Sequence, residues 1–122
     1  MRHVEKQPDV TKAKPLTEPV VLILLSLAEA PRHGYALMKD IEALSGGRVR
    51  LRTGTLYGAL RRLLEEAWIE RFQQSDTSRE KQAYRLTSVG RKQLQLELDR
   101  MKQLTRAATS RLANSRLKTR EV

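Results

Sequence analysis

Five arginines lie close together in the middle of the chain, and no acidic residue separates them. They stand in the segment RVRLRTGTLYGALRR as Arg48, Arg50, Arg52, Arg61 and Arg62. A guanidinium group stays charged at physiological pH, and its planar donors match a phosphate or the edge of guanine. Glycine residues between the arginines allow the backbone to come close to a partner. The chemistry that this segment suggests is therefore recognition of a polyanion.

The composition of the whole chain points in the same direction. The 122 residues include 24 Lys and Arg against 14 Asp and Glu, which gives a net charge of +10. This excess predicts a nucleic acid or an anionic membrane surface as partner, and a merely solvated basic face is the alternative. The apolar run from Val20 to Ala28 is shorter than the about 20 residues that span a bilayer, so no membrane partner is expected. The chain has no cysteine, which excludes disulfides and thiolate metal sites, and no cofactor is expected.

The second half of the arginine segment reads as a helix with two unlike faces. At about 100° per residue, one apolar face collects Leu56, Leu60 and Leu63. The opposite face carries Gly54, Thr55, Gly58, Arg61, Arg62 and Glu65. A helix that reads DNA has this layout when its N-terminal end approaches base edges or phosphates. Thr53 and Thr55 can cap the helix or bond a phosphate, and Tyr57 flanks the apolar face with its hydroxyl near the surface.

Each of these residues also has a plainer interpretation. Arg61 and Arg62 can pair with Glu65 and Glu66 across one helical turn, and Tyr57 can belong to the core. The concentration of arginines in an already basic chain favours DNA binding. Two more basic residues stand near the tip of a following hairpin, where a wing would meet DNA or an ordinary turn would meet solvent. The predicted DNA-binding residues are Arg52, Thr53, Gly54, Thr55, Tyr57, Gly58, Arg61, Arg62, Arg79 and Lys81.

Two helices are predicted before the arginine segment. Residues 1–15 are polar and without period, which predicts a flexible arm. An apolar helix then begins near Leu16, where Thr17 can cap it. A second helix follows and ends at Gly46 and Gly47, because glycine takes the left-handed position after a helix without strain. Both helices can bury their apolar faces against the third.

Strands and a final helix complete the predicted domain. Residues 48–52 alternate apolar and basic side chains, which predicts a short strand. Residues 69–74 and 82–86 read as a hairpin, and Thr87 can cap the helix after it. This order predicts a mainly α (α+β) chain with a winged helix-turn-helix domain at residues 16–87.

The last helix carries an apolar seam. Residues alternately four and three apart along it are Leu94, Leu98, Met101, Thr105, Ala108 and Leu112. Such spacing is typical of helices that pack on each other, and a second copy of the chain is the simplest cover. The alternative is that the helix folds back on its own domain. The predicted boundaries are residues 88–114 for a dimerisation helix and 115–122 for a basic tail.

With these motifs in view, the chain resembles the PadR family of bacterial transcriptional regulators from about Leu16 to Leu112. ILLSLAEAPRHGYALMKDIEALSGG looks like the family's first two helices, GTLYGALRRLLEEAWIE like its recognition helix, and AYRLTSVGRKQL like its second wing strand and next helix. Gly58 stands where the family usually has proline, and Ala67 where it usually has glycine. Ala67 predicts a turn that needs no positive φ.

The resemblance implies a homodimeric repressor that binds double-stranded DNA at a pseudo-palindromic operator and responds to a small-molecule effector. Such a protein would be cytoplasmic and nucleoid-associated when bound to DNA. Tyr57, Thr55 and the outward arginines carry over as DNA contacts, and His33 and Tyr35 as structural residues. From Thr87 onward the chain has no aromatic residue, so stacking of a flat ligand on this helix is not expected.

The function predicted from these features is a sequence-specific DNA-binding transcriptional regulator. The alternative is a winged-helix adaptor that binds an acidic protein through the same surface. An enzyme is not expected, because the chain has no cysteine, no carboxylate pair in an evident pocket and no phosphate-binding loop.

Overall fold

The computed structural model describes residues 14–73 and 82–121, with side chains as far as residue 116. Nearly all of the predicted N-terminal arm lies outside the described residues. The predicted wing-tip contacts Arg79 and Lys81 lie outside them as well.

Four helices and three short strands make up the described parts of the chain. In order they are α1 Glu18–Glu29, β1 Arg32–His33, α2 Gly34–Leu44, α3 Thr53–Glu65, β2 Ile69–Phe72, β3 Ala83–Leu86 and α4 Ser88–Glu121. The strands form one antiparallel sheet in the order β1–β3–β2. The chain is thus mainly helical with a small antiparallel sheet, as predicted. The last helix runs beyond the predicted end at residue 114, because no glycine or proline follows Gly90 to interrupt it.

The described chain divides into two compact units. Leu16–Leu94 forms one unit, and the part of the chain from Gln95 belongs to the other. Within Leu16–Leu94, α1 packs against α2 and β3, and α3 contacts α2 and β2. The residues most deeply buried in this unit are Ile23, Leu24, Leu37, Ile41, Leu56, Leu60, Ile69 and Ala83. This apolar core holds α3 from behind and leaves its other face outside.

Polar contacts join α1 to the elements that follow it. At its start, the Thr17 hydroxyl accepts a hydrogen bond from the Val20 N–H at 3.4 Å, which confirms the predicted cap. Near its end, the buried Ser26 hydroxyl donates to a carboxylate oxygen of Asp40 at 2.5 Å. The Arg32 guanidinium lies 3.5 Å from the same oxygen. These contacts fix α2 and β1 against α1 in addition to apolar packing.

The strand predicted at residues 48–52 is wrong. This segment is irregular, and the third strand of the sheet is β1, which precedes α2. The Val49 N–H donates to the Ser45 hydroxyl at 2.9 Å, so a side chain takes the place of a strand partner. The central strand β3 already has a neighbour on each side. The alternation of apolar and basic residues therefore marks an extended connection that α2 holds in place.

The C-terminus of α2 closes with two backbone hydrogen bonds. The Gly46 N–H donates to the Ala43 carbonyl at 3.1 Å, and the Gly47 N–H donates to the Glu42 carbonyl at 2.8 Å. This pattern places Gly46 in the left-handed region, with a φ of 65°. The predicted stop of the helix at the two glycines is confirmed.

The C-terminus of α3 closes with the same pattern but without glycine. The Ala67 N–H donates to the Leu64 carbonyl and the Trp68 N–H donates to the Leu63 carbonyl, both at 3.0 Å. Ala67 accordingly has a φ of 62°. The prediction that Ala67 avoids a positive φ is wrong, because these two hydrogen bonds impose a conformation that its Cβ disfavours.

Thr87 ties the end of α3 to the start of α4. Its hydroxyl accepts a hydrogen bond from the Gly90 N–H at 3.0 Å, which confirms the predicted cap, and donates to the Ala67 carbonyl at 2.6 Å. Its own N–H donates to the Trp68 carbonyl at 3.0 Å. A Cβ on Gly90 would lie 2.0 Å from that carbonyl oxygen, so only glycine fits there. The base of the β2–β3 hairpin is thereby fixed beside α3.

Candidate nucleic-acid interface

The two faces of α3 differ in burial as the periodicity predicts. Leu56, Leu60 and Leu63 are buried in the core. The predicted DNA-binding residues that are exposed are Arg52, Thr53, Gly54, Thr55, Tyr57, Arg61 and Arg62. Gly58 is half-buried, and a Cβ at this position would meet no atom within 4 Å. The structure thus places these eight residues along one helix, where a single partner can reach them.

The N-terminus of α3 is not closed by a side chain. Arg52 is the N-cap residue, with an extended backbone and no side-chain hydrogen bond to the helix. Neither Thr53 nor Thr55 caps the helix, because both stand inside its first turn. The first backbone hydrogen bond of the helix runs from the Leu56 N–H to the Arg52 carbonyl at 2.9 Å. The N–H groups of the first turn and the positive end of the helix dipole therefore face outward, which favours an anion.

The first two arginines of the segment are paired with acids of other elements. Arg48 binds Glu18 at the start of α1 through two hydrogen bonds, one of them 2.8 Å long. Arg50 lies 3.3 Å from a carboxylate oxygen of Glu42. The hydrogen bond from Arg48 holds the pKa of Glu18 below its ordinary value. The charge of both arginines is thus partly matched within the chain.

The remaining three arginines of the segment have no such match. Among the described residues, no acidic side chain forms an ion pair with Arg52, Arg61 or Arg62. The pairing of Arg61 and Arg62 with Glu65 and Glu66, which the sequence left open, does not occur. These three cations lie on the exposed face of α3, so their charge is available to a partner.

Tyr57 explains the glycine of the His33-Gly34-Tyr35 motif. A Cβ on Gly34 would lie 2.1 Å from the Tyr57 hydroxyl oxygen and 2.9 Å from the ring carbon that carries it. The phenol of Tyr57 therefore fills the space that any side chain at position 34 would need. Tyr57 remains 42% exposed, so its ring is packed on one side and accessible on the other. The start of α2 thus positions a side chain of the candidate interface.

The two neighbours of Gly34 in this motif differ in their surroundings. His33 is half-buried and precedes α2, and its buried Nδ1 has no hydrogen-bond partner among the described residues. Tyr35 is 68% exposed, and its ring lies under the Lys39 ammonium group at 5.8 Å. The structural role predicted for Tyr35 is therefore wrong, because its position in the first turn of α2 turns it away from the core.

The wing strands carry two arginines that the sequence patterns did not select. On β3, Arg85 lies 2.6 Å from a Glu70 carboxylate oxygen and 4.6 Å from the centre of the Phe72 ring. On β2, Arg71 is exposed. A single basic residue in a short strand gives no periodic signal in the sequence. Only the structure distinguishes Arg71 from Arg85, because Arg85 is paired with Glu70 and Arg71 has no acidic partner among the described residues. The predicted contacts of Arg79 and Lys81 stay predictions.

The predicted dimerisation seam on α4 is shortened at its start. Leu94 is 5% exposed and belongs to the core of the unit Leu16–Leu94, so its own domain already covers it. The alternative prediction for the whole helix, burial against its own domain, holds for this residue. Further along α4, Leu98 and Met101 are half-buried, whereas Thr105, Ala108 and Leu112 are exposed.

Two other kinds of site find no support in the parts of the chain that the structure describes. No group of three or more His, Asp or Glu side chains there could hold a metal ion. None of the helices there combines the length and apolar character needed to cross a membrane.

Solved structures with the same fold come from several organisms. A PadR family transcription regulator from Clostridium difficile has a TM-score of 0.65 and 21% identity, over 79% of this chain and 99% of that chain. A transcriptional regulator from Thermoplasma acidophilum has a TM-score of 0.58 and 25% identity, over 80% and 90% of the two chains. Bacillus subtilis PadR, solved in complex with operator DNA, has a TM-score of 0.57 and 24% identity, over 67% and 46%. These similarities confirm the predicted winged-helix fold.

Comparison of the sequence adds two findings. A protein of Streptomyces fradiae described as an uncharacterized 37.1 kDa protein in transposon TN4556 is 38% identical over 85 residues, which make up 70% of this chain. The chain spans only 23% of that relative's length. The family model of PadR-like transcriptional regulators matches residues 23–96, which is more than half of the chain and includes α2, α3 and both wing strands. The chain belongs to the PadR-like family of transcriptional regulators.

Proposed function

We propose that this chain is a homodimeric repressor that binds a pseudo-palindromic operator in double-stranded DNA. The observation that carries the proposal is the outward face of α3. There an open helix N-terminus lies beside arginines that have no acidic partner among the described residues. Both features favour phosphate oxygens. The Bacillus subtilis relative was solved in complex with operator DNA, which supports DNA as the partner of this chain.

The contacts at the start of α3 follow from its open N-terminus. The hydroxyls of Thr53 and Thr55 and the N–H groups of the first turn bind phosphate oxygens. Gly54 and Gly58 keep the outward face slim, so that the backbone can approach the groove. Gly58 is the position where the chain differs from the proline of its family, and an altered contact is expected there.

The remaining contacts come from cationic side chains and one phenol. Arg61 and Arg62 lie further along α3, where they reach phosphates or pair with guanine. The wing tip meets the minor groove or the DNA backbone. The residues assigned to these contacts are Arg52, Tyr57, Arg61, Arg62, Arg79 and Lys81.

The exposed seam of α4 is the basis for the homodimer. Leu112 of the seam is 68% exposed in the single chain, and every residue from Lys102 to Arg116 is exposed. Such a helix gains little from propensity alone and needs a packed apolar face to be stable. A second copy, packed along Leu98, Met101, Thr105, Ala108 and Leu112, supplies that face. A twofold dimer also presents two copies of α3 to two half-sites.

Two exposed leucines of α4 provide a matched test of the dimer. Leu112 lies on the seam and Leu104 lies outside it, although both are similarly exposed in the single chain. In analytical ultracentrifugation, Leu112→Glu should shift the protein to monomer at concentrations where the unchanged chain is a dimer. Leu104→Glu should leave the dimer in place. Equal dissociation of the two variants would reject the seam.

The family pattern supplies the remaining parts of the proposal. The repressor acts in the cytoplasm, is nucleoid-associated when bound to DNA, and is released by a small-molecule effector. The chain from Thr87 onward has no aromatic residue, so stacking of a flat effector on α4 is not expected. Deletion of the protein should raise transcription from the operator it covers, and a fall in transcription would show an activator instead.

Selection of bound fragments from genomic DNA tests the proposed function most broadly. The recovered fragments should share a pseudo-palindrome, and a footprint should show two protected half-sites about 34–36 Å apart. Uniform coating of every fragment would reject sequence-specific binding. Failure to retain any duplex DNA, together with capture of an acidic protein, would favour the adaptor.

A further inference from the structure

The strand register places Arg71 beside the central strand β3 of the sheet. Arg71 of β2 is paired across the ladder with Tyr84 of β3, and Ile69 is paired with Leu86. Side chains two residues apart on a strand share one face, so Arg71 lies on the same face as the buried Ile69. Tyr84 is only 7% exposed, whereas Arg71 is exposed. Arg71 therefore stands at the exposed edge of a face on which Ile69 and Tyr84 are buried.

The three arginines of the sheet differ in their partners. Arg32 of β1 pairs with Glu29 and lies 3.5 Å from an Asp40 carboxylate oxygen. Arg85 of β3 lies 2.6 Å from a carboxylate oxygen of Glu70. Arg71 forms no ion pair with any residue that the structure describes. In this respect it resembles the outward arginines of α3.

Tyr84 lies between Arg71 and Tyr57, which flanks the outward face of α3. Burial, followed by the neighbouring Tyr57, raises the pKa of the Tyr84 phenol, and Arg71 lowers it. The strand register gives the geometry, because β1 is paired with Tyr84 on one side and Arg71 of β2 is paired with it on the other. Gly34, against which the Tyr57 hydroxyl lies, follows directly after β1. Tyr57 is partly exposed, and its hydroxyl lies against Gly34. A phenol donor of α3 and a guanidinium of β2 thus flank one buried ring.

We propose that Arg71 and Tyr57 together bind one backbone phosphate of DNA at the boundary between α3 and the wing. The guanidinium supplies charge and a pair of donors, and the phenol supplies a third donor from a position that Gly34 fixes. The buried Tyr84 ring forms the floor between them. This inference rests on the proposed DNA binding and adds a contact from the body of the wing strand to those of α3 and the wing tip.

Arg85 provides a matched control for Arg71. Both are exposed arginines on the paired wing strands, but Arg85 is bound to Glu70. The experiment measures the affinity for a fixed mixed-sequence duplex by fluorescence anisotropy over a series of salt concentrations. Arg71→Gln should lower the salt slope by about 0.9, the loss of one phosphate contact, and weaken binding several-fold. Arg85→Gln should leave the slope unchanged. Equal slopes for the Arg71 variant and the unchanged chain would overturn the assignment, and so would equal losses in the two variants.

A double-mutant cycle tests whether the two residues share one phosphate. Tyr57→Phe removes only the hydroxyl, so the ring packing against Gly34 is retained. If both groups hold the same phosphate, the double variant should lose less affinity than the product of the two single losses. Independent, multiplying losses would overturn the shared site.

A third variant separates failure of this inference from failure of the proposed function. Arg62→Gln should lower the salt slope if α3 binds DNA at all. A lowered slope for Arg62→Gln with an unchanged slope for Arg71→Gln would overturn the wing-strand site and leave the proposed function standing. Absence of any duplex binding by the unchanged chain would overturn both.

Discussion

The inward and outward faces of α3 use different residues and meet different surroundings. Leu56 and Leu60 are buried in the core, whereas Arg61 and Arg62 are exposed and find no acidic partner among the described residues. The inward face gains free energy by leaving water, and the outward face keeps its charge for a partner. One short helix thus has one set of side chains that stabilises the fold and a second set that we expect to bind a partner.

A second contrast lies between the ends of the arginine run. Arg48 is bound to Glu18 and Arg50 lies beside Glu42, while Arg61 and Arg62 stand alone in the described chain. In the sequence alone, these four arginines contribute equally to the net charge. Because their partners differ, we expect only the unpaired arginines to contribute fully to binding of an anion.

The largest expected effect tests the inward face. Leu60→Ala removes most of a fully buried side chain and should lower the free energy of unfolding by about 2–5 kcal/mol. Arg62→Gln, on the opposite face, should change it by no more than about 0.5 kcal/mol. Urea unfolding of both variants makes the comparison. A similar loss in both would show that the outward arginine is also structural.

A smaller effect is expected where the two faces meet, at Tyr57. Gly34→Ala introduces a Cβ into the space of the Tyr57 phenol and should destabilise the fold by about 1–3 kcal/mol. Combining it with Tyr57→Ala removes the clash, so the double variant should be more stable than the two single effects predict. Strict additivity in thermal or urea unfolding would mean that the two residues do not constrain each other.

Replacement of Gly58 should change the stability of the fold and the affinity for DNA in opposite directions. Alanine at this position meets no atom within 4 Å and should stabilise the helix by about 0.5–1 kcal/mol. The added methyl group lies on the outward face, so operator affinity should fall as stability rises. Unfolding and DNA titration of one Gly58→Ala preparation provide both measurements. Unchanged affinity would remove Gly58 from the interface.

The smallest expected effect concerns the paired end of the arginine run. The hydrogen bond from Arg48 lowers the pKa of Glu18, so the pair stabilises the fold above the ordinary carboxyl pKa and this contribution is lost as the pH falls through the lowered value. Arg48→Gln should move the Glu18 pKa back upward in an NMR titration. An unmoved pKa would mean that the pair does not persist in solution, and that Arg48 is as free as Arg62.

Much of the framework was predictable from local signals. The leucine spacing identified the inward face of α3, and Thr17 and Thr87 were recognised as caps because their position before an apolar run is a short-range pattern. The two glycines after α2 predict where this helix ends, because a glycine that follows a helix is also a short-range pattern. The family motifs extended these local patterns to the order of the elements.

The parts that failed depend on contacts that leave no mark on the periodicity of the sequence. Arg48 and Glu18 are separated by thirty positions in sequence, so their pairing leaves no mark on helical or strand periodicity. The left-handed conformation of Ala67 arises from backbone hydrogen bonds of α3, which override the preference of alanine. Leu94 fits the heptad spacing of α4 and the core of its own domain equally well, and only the fold decides between them.

The measurement that tests the central claim most directly is the salt dependence of operator binding for Arg62→Gln and Arg48→Gln. Both variants lose one arginine from the same run, so they are matched in charge. If the unpaired arginines bind phosphate, Arg62→Gln should lower the slope of log affinity against log salt by about 0.9, and Arg48→Gln should leave it nearly unchanged. Equal slopes for the two variants would contradict the division of the arginine run on which the proposed interface depends.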